Sequence, residues 1–373
     1  MRVVISRTDA IGDTVLTIPM ARMLKRAWPD VHITFIVAPI SAPLMLYHQE
    51  IDDLWVLDRS ETQSAQLSFL YKKFKELKPD IYLYVGGSHL PSTVAYLQRV
   101  KRRGGLKSRW QSFMLLNCGG RQRRSISLMH ELEYNLNLLA PLGIEYLATD
   151  RQQINPTINI SEDEKNDAKN YLSEQLEKKG ITRQKEMIVI HPGMTGHTLN
   201  WPALYYARLP LLIESRFPNR FLFVFSYTDS DQELIEQIKN HFQISENRQI
   251  EQKVLFFNGK DCGLRTYMAL LAQSTLFIGP STGPTHLANI LGVKMVGIYS
   301  PIKLQSAKRW GPAIIGSRTR VMVPDVVCGE VRRCAGSSCP YYECMSKIEV
   351  EDVLEASWLL LGELIRQEVR EEA

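Results

Sequence analysis

The residues best suited to chemistry are Ser281, Thr282, Gly283, Pro284, Thr285 and His286, set between two apolar runs, Ser274–Ile278 and Met295–Tyr299. The first run reads as a buried strand that breaks on Gly279-Pro280. A helix then starts at Pro284, carries Leu287, Ile290 and Leu291 on one face, and ends at Gly292. Proline suits a first helical turn because its missing N–H would have no partner there in any case. A helix N-terminus at the carboxyl end of a strand offers free N–H groups and the positive end of the helix dipole, and both favour an anion. The hydroxyls of Ser281, Thr282 and Thr285 add donors for phosphate oxygens. The same residues would equally serve an ordinary tight connection between strand and helix.

Two other stretches carry reactive side chains. Arg7-Thr8-Asp9-Ala10-Ile11-Gly12-Asp13 follows the first strand, and Asp13 falls at a helix start. An aspartate there either caps the helix, a contribution of about 1 kcal/mol, or acts as the carboxylate base that takes a proton from an acceptor hydroxyl. The loop His191-Pro192-Gly193-Met194-Thr195-Gly196-His197-Thr198-Leu199-Asn200-Trp201-Pro202 again ends in a helix opened by proline. Two Gly- and Thr-containing loops in one half of the chain suit a diphosphate. Further on, Asp231 and Glu233 open a helix, either to cap it or to bind a pair of ribose hydroxyls. Neither a Walker lysine motif nor Gly-x-Gly-x-x-Gly after a strand occurs, and no paired-acid metal motif stands out.

Such loops need strands that end together. Strands are expected at Val3–Ser6, His32–Val37, Leu54–Leu57 and Ile81–Val85. Helices are expected at Asp13–Ala27, with a kink or a local adjustment at Pro19, at Leu67–Leu77 and at about Leu128–Leu142. In the second half, Ser161 and Glu164 form a capping-box helix start. Strands at Met187–Ile190, Phe221–Phe225 and Val254–Phe257 then alternate with helices at Trp201–Arg216, Asp231–His241 and Thr266–Ala272. This alternation predicts parallel, doubly wound α/β sheets. A length of 373 residues predicts two domains, with polar Arg151–Ile160 as the linker. The expected division is 1–155, 156–350 and a terminal helix over 351–373, free to cross back.

Hydrophobic residues make up 45% and charged residues 23%, which is ordinary globular composition. The chain goes straight into a strand at Arg2, and no apolar stretch is long enough to span a bilayer, so a cytoplasmic protein is expected. Between Arg99 and Arg124 lie nine basic residues, among them Arg102, Arg103, Arg123 and Arg124, and no acidic one. These nine exceed the whole net charge of +5, so the positive charge is local. It is either a solvated loop or a dock for an anionic acceptor. Nucleic acid is not expected, since no recognised binding module accompanies the charge. Four of six cysteines crowd together as Cys328, Cys334, Cys339 and Cys344. Their spacing is not that of common zinc modules, a disulfide framework does not suit a reducing cytosol, and both a metal loop and a metal-free thiol loop stay open.

The Asp-Ala-Ile-Gly-Asp opening, the His-Pro-Gly…Trp-Pro stretch and the late Ser-Thr-Gly-Pro-Thr-His-Leu-Ala motif together resemble glycosyltransferase family 9. These are the heptosyltransferases that add ADP-heptose to the lipopolysaccharide inner core. The likeness reaches the Cys-Met-Ser-Lys-Ile-Glu-Val-Glu-Asp-Val tail that starts at Cys344, and so covers nearly the whole chain. It implies a GT-B-like fold of two Rossmann-like domains facing a cleft, the acceptor on the first and the nucleotide-sugar on the second. It further implies inverting transfer with no cofactor and no essential metal, at the cytoplasmic face of the inner membrane, onto an anionic lipid-linked saccharide. Asp13 matches the family's base and Thr195 a phosphate-contacting position. Asp231 approximates the ribose-binding acid, Ser281–His286 match the diphosphate and sugar loop, and the Asp261–Leu264 turn borders the nucleotide base. Two positions depart from the pattern. Leu199 stands where a basic residue often neutralises donor phosphate, and Ser281 stands where an aspartate commonly holds heptose hydroxyls. His197, the helix dipole or an arginine of the first domain could offset the first change. The alternatives are a related transferase with another nucleotide-sugar donor, or a non-catalytic sugar-nucleotide-binding protein of envelope assembly.

Overall fold

A computed structural model describes residues 1–181, 186–194, 199–244, 248–328 and 334–371. The chain divides into two compact units, Met1–Asn159 and Ile160–Ala373.

The first unit is built on a five-stranded parallel sheet: β1 (Arg2–Arg7), β2 (His32–Val37), β3 (Asp53–Val56), β4 (Ile81–Gly86) and β5 (Arg102–Gly105), in the order β3-β2-β1-β4-β5. Central β1 is covered on both faces, so Val3, Val4 and Ile5 are all fully buried and the strand reads as a continuous apolar run. Edge strand β5 has the sequence Arg-Arg-Gly-Gly and shows no such run. Gly105 stands there at φ +128, and a side chain on it would meet the Tyr84 carbonyl oxygen at 2.0 Å.

Pro19 does not kink one long helix. It begins a second one, so the expected Asp13–Ala27 helix is two, Ile11–Val15 and Pro19–Ala27. Proline suits a first turn, whereas in an interior it removes a hydrogen bond and crowds the preceding turn, which favours a break there. The expected Leu128–Leu142 helix likewise shortens to Glu131–Leu136, capped by His130, and continues as a 3-10 segment, Asn137–Leu142, around Pro141.

The second unit holds six parallel strands: β6 (Glu186–Ile190), β7 (Phe221–Tyr227), β8 (Val254–Asn258), β9 (Leu276–Pro280), β10 (Met295–Ile298) and β11 (Thr319–Met322), in the order β11-β10-β9-β6-β7-β8. The terminal helix, Val350–Glu371, packs on the Ala203–Arg216 helix and on β9, β10 and β11 of this same unit. It buries Val353, Ala356, Leu360 and Leu361 in the second core, with Trp358 stacked on Phe217 at 4.9 Å. No helix among the described residues is long and apolar enough to cross a membrane.

In each sheet the chain reverses direction at one place: between β1 and β4 in the first unit, and between β6 and β9 in the second. At such a switch point the connections after neighbouring strands run to opposite faces and leave a crevice at the strand ends, where ligands bind in open α/β sheets. The Arg7–Asp13 turn follows β1. The His191 loop follows β6, and the Ser281 turn follows β9.

Candidate active site

Asp13 stands in the first turn of the Ile11–Val15 helix, one turn beyond the cap position. That position belongs to Ala10, which makes no side-chain cap bond. Capping therefore does not explain Asp13. Its carboxylate accepts a hydrogen bond from the buried guanidinium of Arg7, which also donates to Asp9 at 2.6 Å and to the Val85 carbonyl at 3.2 Å. Burial pushes the Asp13 carboxyl up to about 6; the Arg7 charge opposes this, and the nearby carboxylates of Asp9 and Glu131 add to it. A partly buried carboxylate poised near neutrality is suited to taking up a proton.

A second ion pair supports the first. Arg124 is buried with its guanidinium on Glu131, on Asn135 at 3.1 Å and on Gln122 at 2.8 Å, its face over the Tyr134 ring. Asn135 in turn donates to the Leu16 carbonyl at 3.0 Å, just past the Asp13 helix. Arg124 thus does not belong to a solvated basic patch: its charge is used inside the first unit. Arg103 is also engaged, donating to the carbonyls of Leu115 and Val100. Arg102 and Arg123 are exposed, as the charge run predicts. Arg7, Glu131 and Asn135 are members of this site that sequence reasoning missed. The acid partner of Arg124 lies just beyond the acid-free segment that drew attention to it.

In the second unit the Gly283–Ile290 helix opens at Thr282, whose side chain makes no cap bond. The first-turn N–H groups therefore lack both an intrahelical acceptor and a side-chain cap. Ser281, Thr282, Gly283 and Pro284 are partly exposed, whereas Thr285 and His286 are buried. The Thr285 hydroxyl donates to the Pro280 carbonyl, and Thr282 leans on the same oxygen at 3.4 Å. The Thr285 hydroxyl thus shapes the turn.

The neighbouring loop after β6 is held from behind. His191 Nδ1 lies 3.1 Å from Ser226 Oγ, which lies 3.0 Å from the Tyr267 hydroxyl, all three buried. Burial pushes the His191 imidazole down to about 4, so it is neutral at physiological pH. The His191 N–H donates to Ile278 on β9 at 2.9 Å, tying the two loops together. Asp231 is buried and accepts from the Thr228 N–H at 2.9 Å and the Thr228 hydroxyl at 2.8 Å, completing a capping box. Its carboxylate also lies against Gly193, where a Cβ would come within 2.3 Å of it. Asp231 thus has the capping role, and the glycine of His-Pro-Gly is required by this approach. Thr195 and His197 lie outside the described residues. Leu199 packs against the second core instead of presenting a charge.

Two parallel, doubly wound units give the chain an α/β fold of the GT-B-like class. The family model for glycosyltransferase family 9 (heptosyltransferase) matches residues 69–328, and the chain belongs to that family. Lipooligosaccharide heptosyltransferase 2 of Campylobacter jejuni is 26% identical over 180 residues, 48% of this chain and about half, 51%, of that protein. The solved E. coli ADP-heptose lps heptosyltransferase II is 20% identical with a TM-score of 0.75, over 97% of this chain and 99% of that one. The E. coli heptosyltransferase WaaC with ADP has a TM-score of 0.63 at 14% identity, over the full length of both chains.

Proposed function

We propose that this chain transfers heptose from ADP-heptose to a hydroxyl of a lipopolysaccharide-core saccharide, with inversion and without a metal. The observation that carries this reading is the Asp13 carboxyl, raised toward neutrality by burial yet held in place by Arg7. Asp13 removes the proton from the acceptor hydroxyl as that oxygen attacks the anomeric carbon from the face opposite the diphosphate. The C–O bond to the diphosphate breaks, and ADP leaves as the anion. Its developing charge is met by the N–H groups and dipole at the start of the Gly283–Ile290 helix, with Ser281 and Thr282 beside it. Thr195 contributes to this phosphate site. The ADP held by the E. coli neighbour supports an adenine nucleotide as the donor's carrier. Ser281, with a hydroxyl where the family commonly has a carboxylate for heptose, favours a second reading in which another nucleotide-sugar is the donor.

Melting temperatures in ADP, UDP, GDP and CMP test the donor assignment. A ligand of the native state at 100 times its Kd stabilises by about 2.7 kcal/mol, a shift of several degrees. ADP is expected to give the largest rise. A flat response to all four at millimolar concentration contradicts the proposal.

The acceptor side is proposed to be the exposed face around Arg102 and Arg123, which would receive acceptor phosphates. The Trp110–Leu115 helix beside it exposes Trp110, Phe113 and Met114, with Arg121 set 5.0 Å over the Phe113 ring. The exposed aromatic side chains of this helix, with the basic Arg121 set beside them, suit peripheral contact with an anionic membrane surface. The protein is expected to sediment with anionic vesicles at low salt and not with neutral ones, and Trp110→Ser to weaken this. Equal recovery with both vesicle types contradicts the assignment.

A further inference from the structure

Cys328, Cys334, Cys339 and Cys344 have no part in the chemistry above, yet the fold gathers them. All four line one cavity of about 40 Å³, with Leu199, Ile302, Val326 and Met345 as apolar walls. That volume is more than the roughly 10–15 Å³ that admits one water-sized probe, so there is room among the sulfurs for a small occupant. None of the four is in a disulfide, and each is partly buried. Four sulfurs drawn together at this cavity would repel one another as thiolates.

Two backbone contacts point to what is meant to sit among them. The Gly336 N–H donates to Cys334 Sγ at 3.4 Å, and the Tyr341 N–H donates to Cys339 Sγ at 3.4 Å. In both cases the donor lies two residues after the cysteine. An N–H aimed at sulfur stabilises a thiolate over a thiol, and it orients the remaining lone pairs toward the cavity. Among the described residues of the loop, the elements are 3-10 turns at Gly336–Ser338 and Cys344–Lys347. Tyr341 and Tyr342 are exposed.

We propose that these four cysteines form a structural zinc site that pins the loop to the second unit. An all-sulfur donor set selects a soft or borderline divalent ion and excludes magnesium or calcium. Among the described residues no three possible ligands stand close enough to hold an ion as placed. The sulfurs are an open cluster that zinc would draw in, to Zn–S bonds of about 2.3 Å. Binding releases the thiol protons to solvent, and the dication removes the repulsion among the thiolates. Met345, next to Cys344, belongs to the second core, and the Trp201 indole N–H donates to the Ile348 carbonyl at 2.8 Å. Leu199 lines the same cavity, so the ion would brace the C-terminal end of the loop after β6.

The test is the metal content of the full-length chain, purified under reducing conditions without a histidine tag. About one zinc per chain is expected, released by a mercurial that titrates thiols. Cys334→Ser and Cys339→Ser should each lose most of it, while Cys118→Ser and Cys262→Ser keep it. Cobalt should replace zinc with the intense visible bands of a tetrahedral thiolate site, a readout that needs no substitution. Metal-free protein that takes up neither zinc nor cobalt overturns the proposal. So does mass spectrometry that finds the four cysteines paired as disulfides in freshly purified protein.

Discussion

Asp13→Asn is expected to lower the rate of sugar transfer by about 10²–10⁴-fold, the range for loss of a general base. Asparagine keeps the size of the side chain and an oxygen for Arg7, and removes only the capacity to take up a proton. Nucleotide binding should stay close to that of the unsubstituted protein, because the proposed donor loops belong to the other unit. Stability should move little, since Asp9 and the asparagine oxygen still accept from Arg7 and Ala10, not Asp13, occupies the cap position. A folded-state pKa of about 6, against an ordinary 3.8, means that the native state favours the protonated acid. The contribution of Asp13 to stability is therefore full below about 3.8 and is lost as pH rises through about 6. Activity runs the opposite way. The kcat/KM of the unsubstituted enzyme should rise with pH through about 6 and then level off. Asp13→Asn protein that transfers sugar at near-normal rate, or keeps this pH step, contradicts the assignment.

Arg124→Ala should be the most destabilising of the arginine substitutions. Removing one partner of a buried ion pair takes the Arg124 charge away from buried Glu131, at a cost of about 3–5 kcal/mol. The melting temperature of the first unit should fall by roughly 10 °C on the usual scaling. Removing Glu131 as well should return part of the loss. Arg102→Gln and Arg123→Gln should leave the melting temperature nearly unchanged, raise the acceptor KM and weaken its dependence on salt, since exposed charges act through screened attraction. Similar thermal losses for all three arginines contradict the separation drawn between them.

This separation also shows how far residues alone carry the reading. Strands β1, β4, β7 and β9 are legible because they are covered on both faces and need unbroken apolar runs. Edge strands β5 and β11 are not, since an edge is held by one neighbour and tolerates Arg-Arg-Gly-Gly or a half-exposed Thr-Arg-Val-Met. The three candidate motifs are legible as turns after strands, and the fold places two of them at the reversal of the second sheet. Their finer roles depend on facts that local sequence does not hold. Whether Asp13 caps or stays available depends on a helix start two residues earlier. Whether Thr285 can donate to a ligand depends on the nearby Pro280 carbonyl. Whether Arg124 faces solvent depends on Glu131, seven residues beyond it.

The most direct test of the central proposal is transfer itself. Purified protein is incubated with ADP-heptose and a deacylated lipopolysaccharide-core acceptor, while ADP release and acceptor mass are followed together. One equivalent of ADP is expected for each heptose gained, with a product of inverted anomeric configuration and a rate that added magnesium leaves unchanged. Release of ADP without a heavier acceptor, or a product that retains the donor's configuration, would contradict it.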